Sequence, residues 1–227
     1  MRTGYRLFLA SPLETALCFF RLLPTPEFWR AAASSLGHIL CGFLLALLSG
    51  SVLAAASAAF PLLDDFLQPV MRLSRTVPVV SFIILALLML SSRYLSIFIS
   101  FLMCLPVLYM TLAQALSQRR KDLEEMAQVF GVPAGRKLRY MILPQIWPAF
   151  ENACVLSISL AWKSGTAAEV LGMTAGSIGG RLQQAKVYLD TPALFAWTAA
   201  VVLLSVLTEK GLQALLRLLY RRMQVMK

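Results

Sequence analysis

The residues best placed to do chemistry in this chain are Lys163 and Glu169, two ionisable groups inside an otherwise apolar stretch. A charge within a membrane-length segment is costly and normally faces a cavity, a partner or a pathway, which makes both candidates for a translocation path. They stand six positions apart, so on a regular helix their Cβ directions differ by roughly 120° and a direct pair is not the natural geometry. Lys163 has two readings: it attracts an anionic solute, or it is a structural lysine paired elsewhere or snorkelling to the interface. Glu169 lies nearer the end of its segment and reads as a structural or gating group rather than a solute contact. His38, the only histidine, reads as a hydrogen-bonded packing residue. Cys18, Cys41, Cys104 and Cys154 have no CxxC or metal-ligand spacing and read as packing thiols. No nucleophile–base pair accompanies any of these groups, so the sequence does not suggest an enzyme. Gly172, Gly176, Gly179 and Gly180 lack the lysine and the preceding strand of a phosphate-binding loop, and are expected to form a flexible loop.

The elements that must position these groups are membrane helices. Hydrophobic residues make up 59% of the chain, charged residues 14%, and mean hydropathy is +0.72. An ordinary soluble domain carries about 25% charged residues. Two stretches, 31–60 and 94–118, hold no Asp, Glu, Lys or Arg; each exceeds the ~20 residues that cross a bilayer core as a helix. The expected fold is an all-α integral membrane protein with about five spans, near 31–60, 76–92, 94–117, 150–171 and 191–208. The second and third are joined by a tight turn around Arg93. Gly37, Gly42 and Gly50 suit close helix packing in a membrane, or serve as simple filler.

Basic residues set the orientation. The loops 61–75 and 118–148 and the tail from 209 carry thirteen Lys and Arg, against seven on the other side, so those loops and the C-terminus are expected to be cytoplasmic. The net charge of +10 therefore reflects membrane flanks, not a nucleic-acid partner. Residues 1–30 would then lie outside despite four arginines, Arg2, Arg6, Arg21 and Arg30, which is a tension in this topology. Their apolar run is too short for a signal peptide. They read as an interfacial amphipathic segment before a permease domain over 31–227.

The polar loop 118–148 is the most patterned region. Leu123, Met126, Ala127 and Phe130 fall at i, i+3, i+4 and i+7, giving a short amphipathic helix with one apolar stripe. Asp122 and Glu125 resemble a capping box at its start, and Gly131 followed by Pro133 ends it. A second helical segment runs from about Gly135 to Leu143-Pro144. The apolar stripe has to be buried against the chain's own helices or in a groove on a soluble partner.

These residues carry a family resemblance. The loop reads Glu125-Met126-Ala127, three residues, Gly131, nine residues, Met141-Ile142-Leu143-Pro144. It resembles the cytoplasmic signature of ATP-binding cassette (ABC) importer permeases, departing at Met126 for Ala and Met141 for Ile. The stretches SPLET, MRLSRTVPVVSF, AAEVLG and YLDTPALFAW are similar to the nitrate, sulfonate, taurine and bicarbonate branch. Riboflavin- and pyrimidine-precursor importers resemble that branch too, so the substrate stays open among a sulfonate, a nitrate-like anion and a vitamin precursor.

The resemblance implies a type I importer permease in a bacterial inner membrane. Glu125, Met126, Ala127 and Gly131 would lie in a coupling helix seated on an ATPase subunit, with Leu143 and Pro144 ending its second arm. It implies two ATPase subunits that hold ATP and Mg²⁺, no cofactor in this chain, a substrate-binding protein, and a second copy of the permease. Many such relatives carry one more helix before the SPLET segment, so a first span is expected to be missing here. The alternative is an ion-gradient-driven secondary transporter. It would need a coupling-ion site at broken helices; Pro106 could break the third span, but no acidic cluster accompanies it.

Overall fold

The computed structural model describes residues 10–225. Residues 1–9, with Arg2 and Arg6 of the expected N-terminal segment, and Lys227 of the tail lie outside them. Every regular element among the described residues is helical: α1 (Pro12–Leu22), α2 (Pro26–Ala59), α3 (Pro61–Thr76), α4 (Val79–Met89), α5 (Ser92–Ser117), α6 (Lys121–Val129), α7 (Ala134–Lys137), a π-turn (Leu138–Ile142), α8 (Leu143–Leu171), α9 (Ile178–Val187) and α10 (Thr191–Val225).

Three of these helices, α2, α5 and α10, are long and apolar enough to cross a membrane, matching the first, third and fifth expected spans. The other two differ in instructive ways. The expected 76–92 span is only the 11-residue α4, short of the ~20 residues a crossing needs. It meets α3 at a 99° bend at Val77-Pro78, where proline disfavours helical backbone in the residue before it. Counting that bent pair as one broken span gives a fourth. The turn that follows lies at Leu90-Ser91, and Arg93 already sits in the first turn of α5. α8 is 29 residues long but less apolar, because Ser157, Ser164, Thr166 and Glu169 are turned into the bundle.

The expected boundary at residue 30 also moves. Thr25 caps α2, its hydroxyl accepting the Phe28 N–H, and Pro26 supplies the first turn, so 26–30 belong to the membrane helix. Before it, Ser11 and Glu14 form a full capping box on α1. Leu13, Leu17 and Phe20 of α1 remain exposed.

The core is a three-helix stack, with α5 packed between α2 and α8. Small residues bring the backbones together: a Cβ on Gly42 would collide with the Ile97 carbonyl, and one on Gly50 would stand 3.1 Å from Leu108 Cβ. A polar ladder runs along the α5–α8 seam. Ser96 Oγ donates to the Gly165 carbonyl at 3.2 Å, Ser100 Oγ to Ala161 at 3.3 Å and Cys104 Sγ to Ser157 at 3.1 Å. The donors rise by four on one helix as the acceptors fall by four on the other, which is the repeat that keeps one face of an antiparallel pair in register. Each hydroxyl or thiol of the ladder uses the second lone pair of a carbonyl in the facing helix, so these three donors are satisfied, whereas the buried Ser157 hydroxyl on the same seam has no partner. All four cysteines are free thiols; Cys104 and Cys154 are buried, as packing thiols should be, whereas Cys18 is half-buried and Cys41 is exposed.

Candidate functional site

Two regions gather the sequence's candidates, the 118–148 loop and the α8–α9 end of the bundle. In the loop, α6 ends in a Schellman turn: the Val132 N–H reaches back to the Ala127 carbonyl at 2.9 Å, and Gly131 sits at φ +62. No atom lies within 4 Å of a Cβ placed on Gly131. Its glycine is therefore a requirement of backbone hand, not of space.

The apolar stripe is only partly buried. Ala127 is 2% exposed and faces inward, whereas Met126 is 48%, Val129 82% and Phe130 76% exposed. Glu125 is exposed beside them. The tip of α6 thus presents uncovered apolar surface that this chain does not satisfy by itself.

Two expectations for the loop need correction. α6 begins at Lys121, so Asp122 lies inside the first turn and is not the cap. Its carboxylate instead takes the Arg120 guanidinium at 2.6 Å, and that hydrogen bond holds the Asp122 carboxyl below its ordinary range. Leu143 and Pro144 do not end the second arm either. The chain passes from α7 through the π-turn directly into α8. Pro144 has no N–H and its ring would press on the Tyr140 carbonyl; widening the turn just before it relieves that clash without breaking the helix.

Sequence reasoning missed the residue that fixes this joint. The Gln145 side chain accepts the Arg120 N–H at 3.1 Å through Oε1 and donates to the Met141 carbonyl at 2.9 Å through Nε2. One amide therefore ties the start of the loop to the π-turn. No local signal marks it, because its partners lie 25 residues upstream and in a turn that only the fold creates.

At the other end of α8, Lys163 and Glu169 part company. Glu169 is fully buried at 0% exposure. Its Oε2 accepts from Ser35 Oγ of α2 at 2.6 Å and from the Gly179 N–H of α9 at 3.2 Å. Its Oε1 faces His38 Nδ1 at 3.6 Å, and neither of those two atoms has a hydrogen-bond partner. The carboxylate sits at the N-terminus of α9, where the helix dipole favours negative charge. His38 is therefore half of a buried polar contact, and Ser35 is a site residue that composition did not single out. The four glycines do not form one loop: Gly172 caps α8 and Gly176 lies in the turn after it, while Ser177 caps α9, which holds Gly180 and Gly179, the latter pressed onto Glu169 so closely that a Cβ there would overlap it.

Lys163 points the other way. It is exposed on the rim of a groove of about 590 Å³ between α8, α9 and α10, within the ordinary range for small-molecule sites. Among the described residues no metal-binding cluster of His, Cys, Asp or Glu occurs.

Comparison with known proteins places this geometry. The profile of the family described as "binding-protein-dependent transport system inner membrane component" matches residues 39–225. The chain is similar to the taurine transport system permease protein TauC of Escherichia coli, at 28% identity over 83% of this chain and 69% of that protein. It is similar to the riboflavin transport system permease protein RibX of Chloroflexus aurantiacus, at 30% identity over 96% and 82%. It also resembles the nitrate import permease protein NrtB of Leptolyngbya laminosa, at 26% identity over 67% and 53%. Among solved structures, a bacterial ABC transporter involved in import of the acidic polysaccharide alginate superposes with TM-score 0.63 over 96% of this chain and 91% of that one. At 17% identity that likeness is one of fold.

Proposed function

Because the chain belongs to the binding-protein-dependent transport inner-membrane component family and is the multi-pass permease subunit of an ABC importer, we propose that its α6–π-turn joint is the surface on which a separate ATPase subunit docks. What supports this reading is the uncovered apolar tip of α6. Met126, Val129 and Phe130 are exposed around a rigid glycine cap, the form of a helix meant for a groove on another protein. Glu125, Ala127 and Gly131 shape that tip, and Leu143 and Pro144 begin the helix that carries its movement into the membrane.

In this reading ATP and Mg²⁺ belong to the ATPase, and this chain performs no hydrolysis. The basic loops put α6 and the C-terminal end of α10 in the cytoplasm and α9 on the outer face, toward a substrate-binding protein. Two copies of the chain, each meeting one ATPase subunit, form the simplest assembly. Nothing in the family or the relatives supports the ion-gradient alternative. Lys163 lines the translocation path for a small solute, while Glu169, buried away from the groove, holds α9 in place through Oε2.

The test is co-purification of the cognate ATPase with the intact permease from native membranes. Phe130→Glu, inserted at wild-type level, should lose the ATPase and the transport-linked hydrolysis. Full retention of both would rule out docking through α6.

A further inference from the structure

The polar face of α3 ends in two arginines whose partner is not in this chain. Asp64, Gln68, Arg72 and Arg75 line one side of a groove of about 350 Å³, and Thr111 and Gln114 of α5 line the other. A relay of hydrogen bonds enters this groove from the protein interior. The hydroxyls of the buried Ser57 and Tyr109 stand 2.9 Å apart, and Tyr109 donates to Asp64 Oδ1 at 2.8 Å. Asp64 Oδ2 accepts from Gln68 Nε2 at 2.7 Å, which turns Gln68 Oε1 toward Arg72 Nη2 at 2.8 Å. Arg72 is thus held in place through a chain of side chains rooted on a buried tyrosine.

The relay orients Arg72 without neutralising it. Asp64 uses both oxygens on Tyr109 and Gln68, two turns away. Arg75 reaches only the Met110 thioether at 3.7 Å, a weak acceptor. Among the described residues no carboxylate lies within ion-pair distance of either guanidinium. Two guanidiniums at i and i+3, one of them pre-oriented, suit the oxygens of a phosphate, which accept the arginine fork two at a time. The opposite face of α3 says where that phosphate comes from. Leu62, Phe66 and Leu73 are 85%, 69% and 65% exposed there, the pattern of a helix lying in a membrane interface with its apolar side toward acyl chains. The basic loops put this helix at the cytoplasmic leaflet, where anionic lipids gather.

We propose that the α3–α5 groove binds the phosphate of an anionic phospholipid, with Arg72 and Arg75 gripping its oxygens and Gln114 facing its headgroup. The volume suits a phosphate carrying a group the size of glycerol. A choline headgroup would instead bring a third cation against the two guanidiniums. Arg75 stands two residues before Val77, where α3 turns through 99° into α4, so the bound lipid pins that elbow.

Native mass spectrometry of the full-length permease, titrated in detergent with phosphatidylglycerol or phosphatidylcholine, tests this. Wild type should prefer phosphatidylglycerol by about tenfold or more. Arg72→Gln with Arg75→Gln should remove the preference. Gln68→Met changes no charge, yet should lower the preference several-fold because Arg72 loses its anchor. Arg221→Gln with Arg222→Gln, an equal loss of charge at the end of α10, should leave it intact. Equal binding of the two lipids by wild type overturns the proposal, as does a preference that survives in the Arg72 and Arg75 variant. An equal loss in the Arg221 and Arg222 variant also overturns it, reducing the effect to diffuse charge. Millimolar sn-glycerol 3-phosphate should not displace the lipid; displacement would mean a phosphate drawn from solution, and the lipid assignment falls. If the groove double variant does not fold, an unaltered preference in both Arg75→Gln and Gln68→Met overturns the proposal instead. None of these variants touches α6, so this site and the ATPase docking surface stand or fall separately.

Discussion

Ser35 and Glu169, 134 positions apart in sequence, share a fully buried hydrogen bond of 2.6 Å. The same Ser35 oxygen accepts the Ile178 N–H at 2.9 Å, so one hydroxyl joins α2, α8 and α9. Replacing it with alanine leaves a buried amide and a buried carboxylate oxygen each short of a partner. Ser35→Ala should cost about 1–3 kcal/mol, read as a lowered thermal midpoint of the purified permease. An unchanged midpoint would mean that α9 is held by its apolar contacts alone.

Two glycines of α2 should respond in opposite ways to the same substitution. A Cβ on Gly37 meets nothing within 4 Å, whereas one on Gly42 collides with the Ile97 carbonyl and comes within 2.7 Å of Ser100 Cβ. Gly37→Ala should be neutral or slightly stabilising, since it removes backbone freedom from the unfolded chain. Gly42→Ala must push α2 off α5 and should destabilise by about 1–3 kcal/mol. Thermal stability of the pair in one detergent separates them, and equal midpoints would contradict the packing described.

At Gly131 the constraint is dihedral only, because the space around it is open. Gly131→Val should strain the cap by about 1–2 kcal/mol and weaken ATPase coupling while membrane insertion stays normal. Gly131→Asn, which tolerates left-handed backbone, should recover most of the coupling. Coupling that follows side-chain volume instead would point to a steric contact with the partner.

Gln145 makes a narrower prediction. Gln145→Ala removes both bonds that tie Arg120 to the π-turn, yet deletes no core contact. Hydrogen exchange should speed up at Arg120 and across the π-turn and leave the α5–α8 seam protected. Uniform exchange across the chain, matching wild type, would show that the amide does not hold the joint.

How much of this was legible follows from how local each feature is. The α6 cap was readable because Gly131 and Pro133 act on their own backbone. The second span was misread because apolarity alone says nothing about the break that Pro78 imposes. Leu143-Pro144 looked like a terminus because proline usually ends a helix; here the wider turn absorbs it. Lys163 and Glu169 were visible as costly residues, and their six-residue offset correctly separated them. Which one faces the groove depends on Ser35 and Gly179, and no window of sequence joins those to Glu169. The ladder of Ser96, Ser100 and Cys104 was hidden for the same reason: its acceptors are carbonyls, which every residue has.

The 29-residue α8 has one more consequence. At 1.5 Å per residue it is about 43 Å long. Gln145 secures its near end to the start of the α6 loop, and Glu169 secures its far end to α9. A rod clamped at both ends is a lever. Tilting it by roughly 10° about its near end sweeps the far end through about 7 Å, so a small rocking at the α6 joint becomes a displacement of several ångströms at the α9 end.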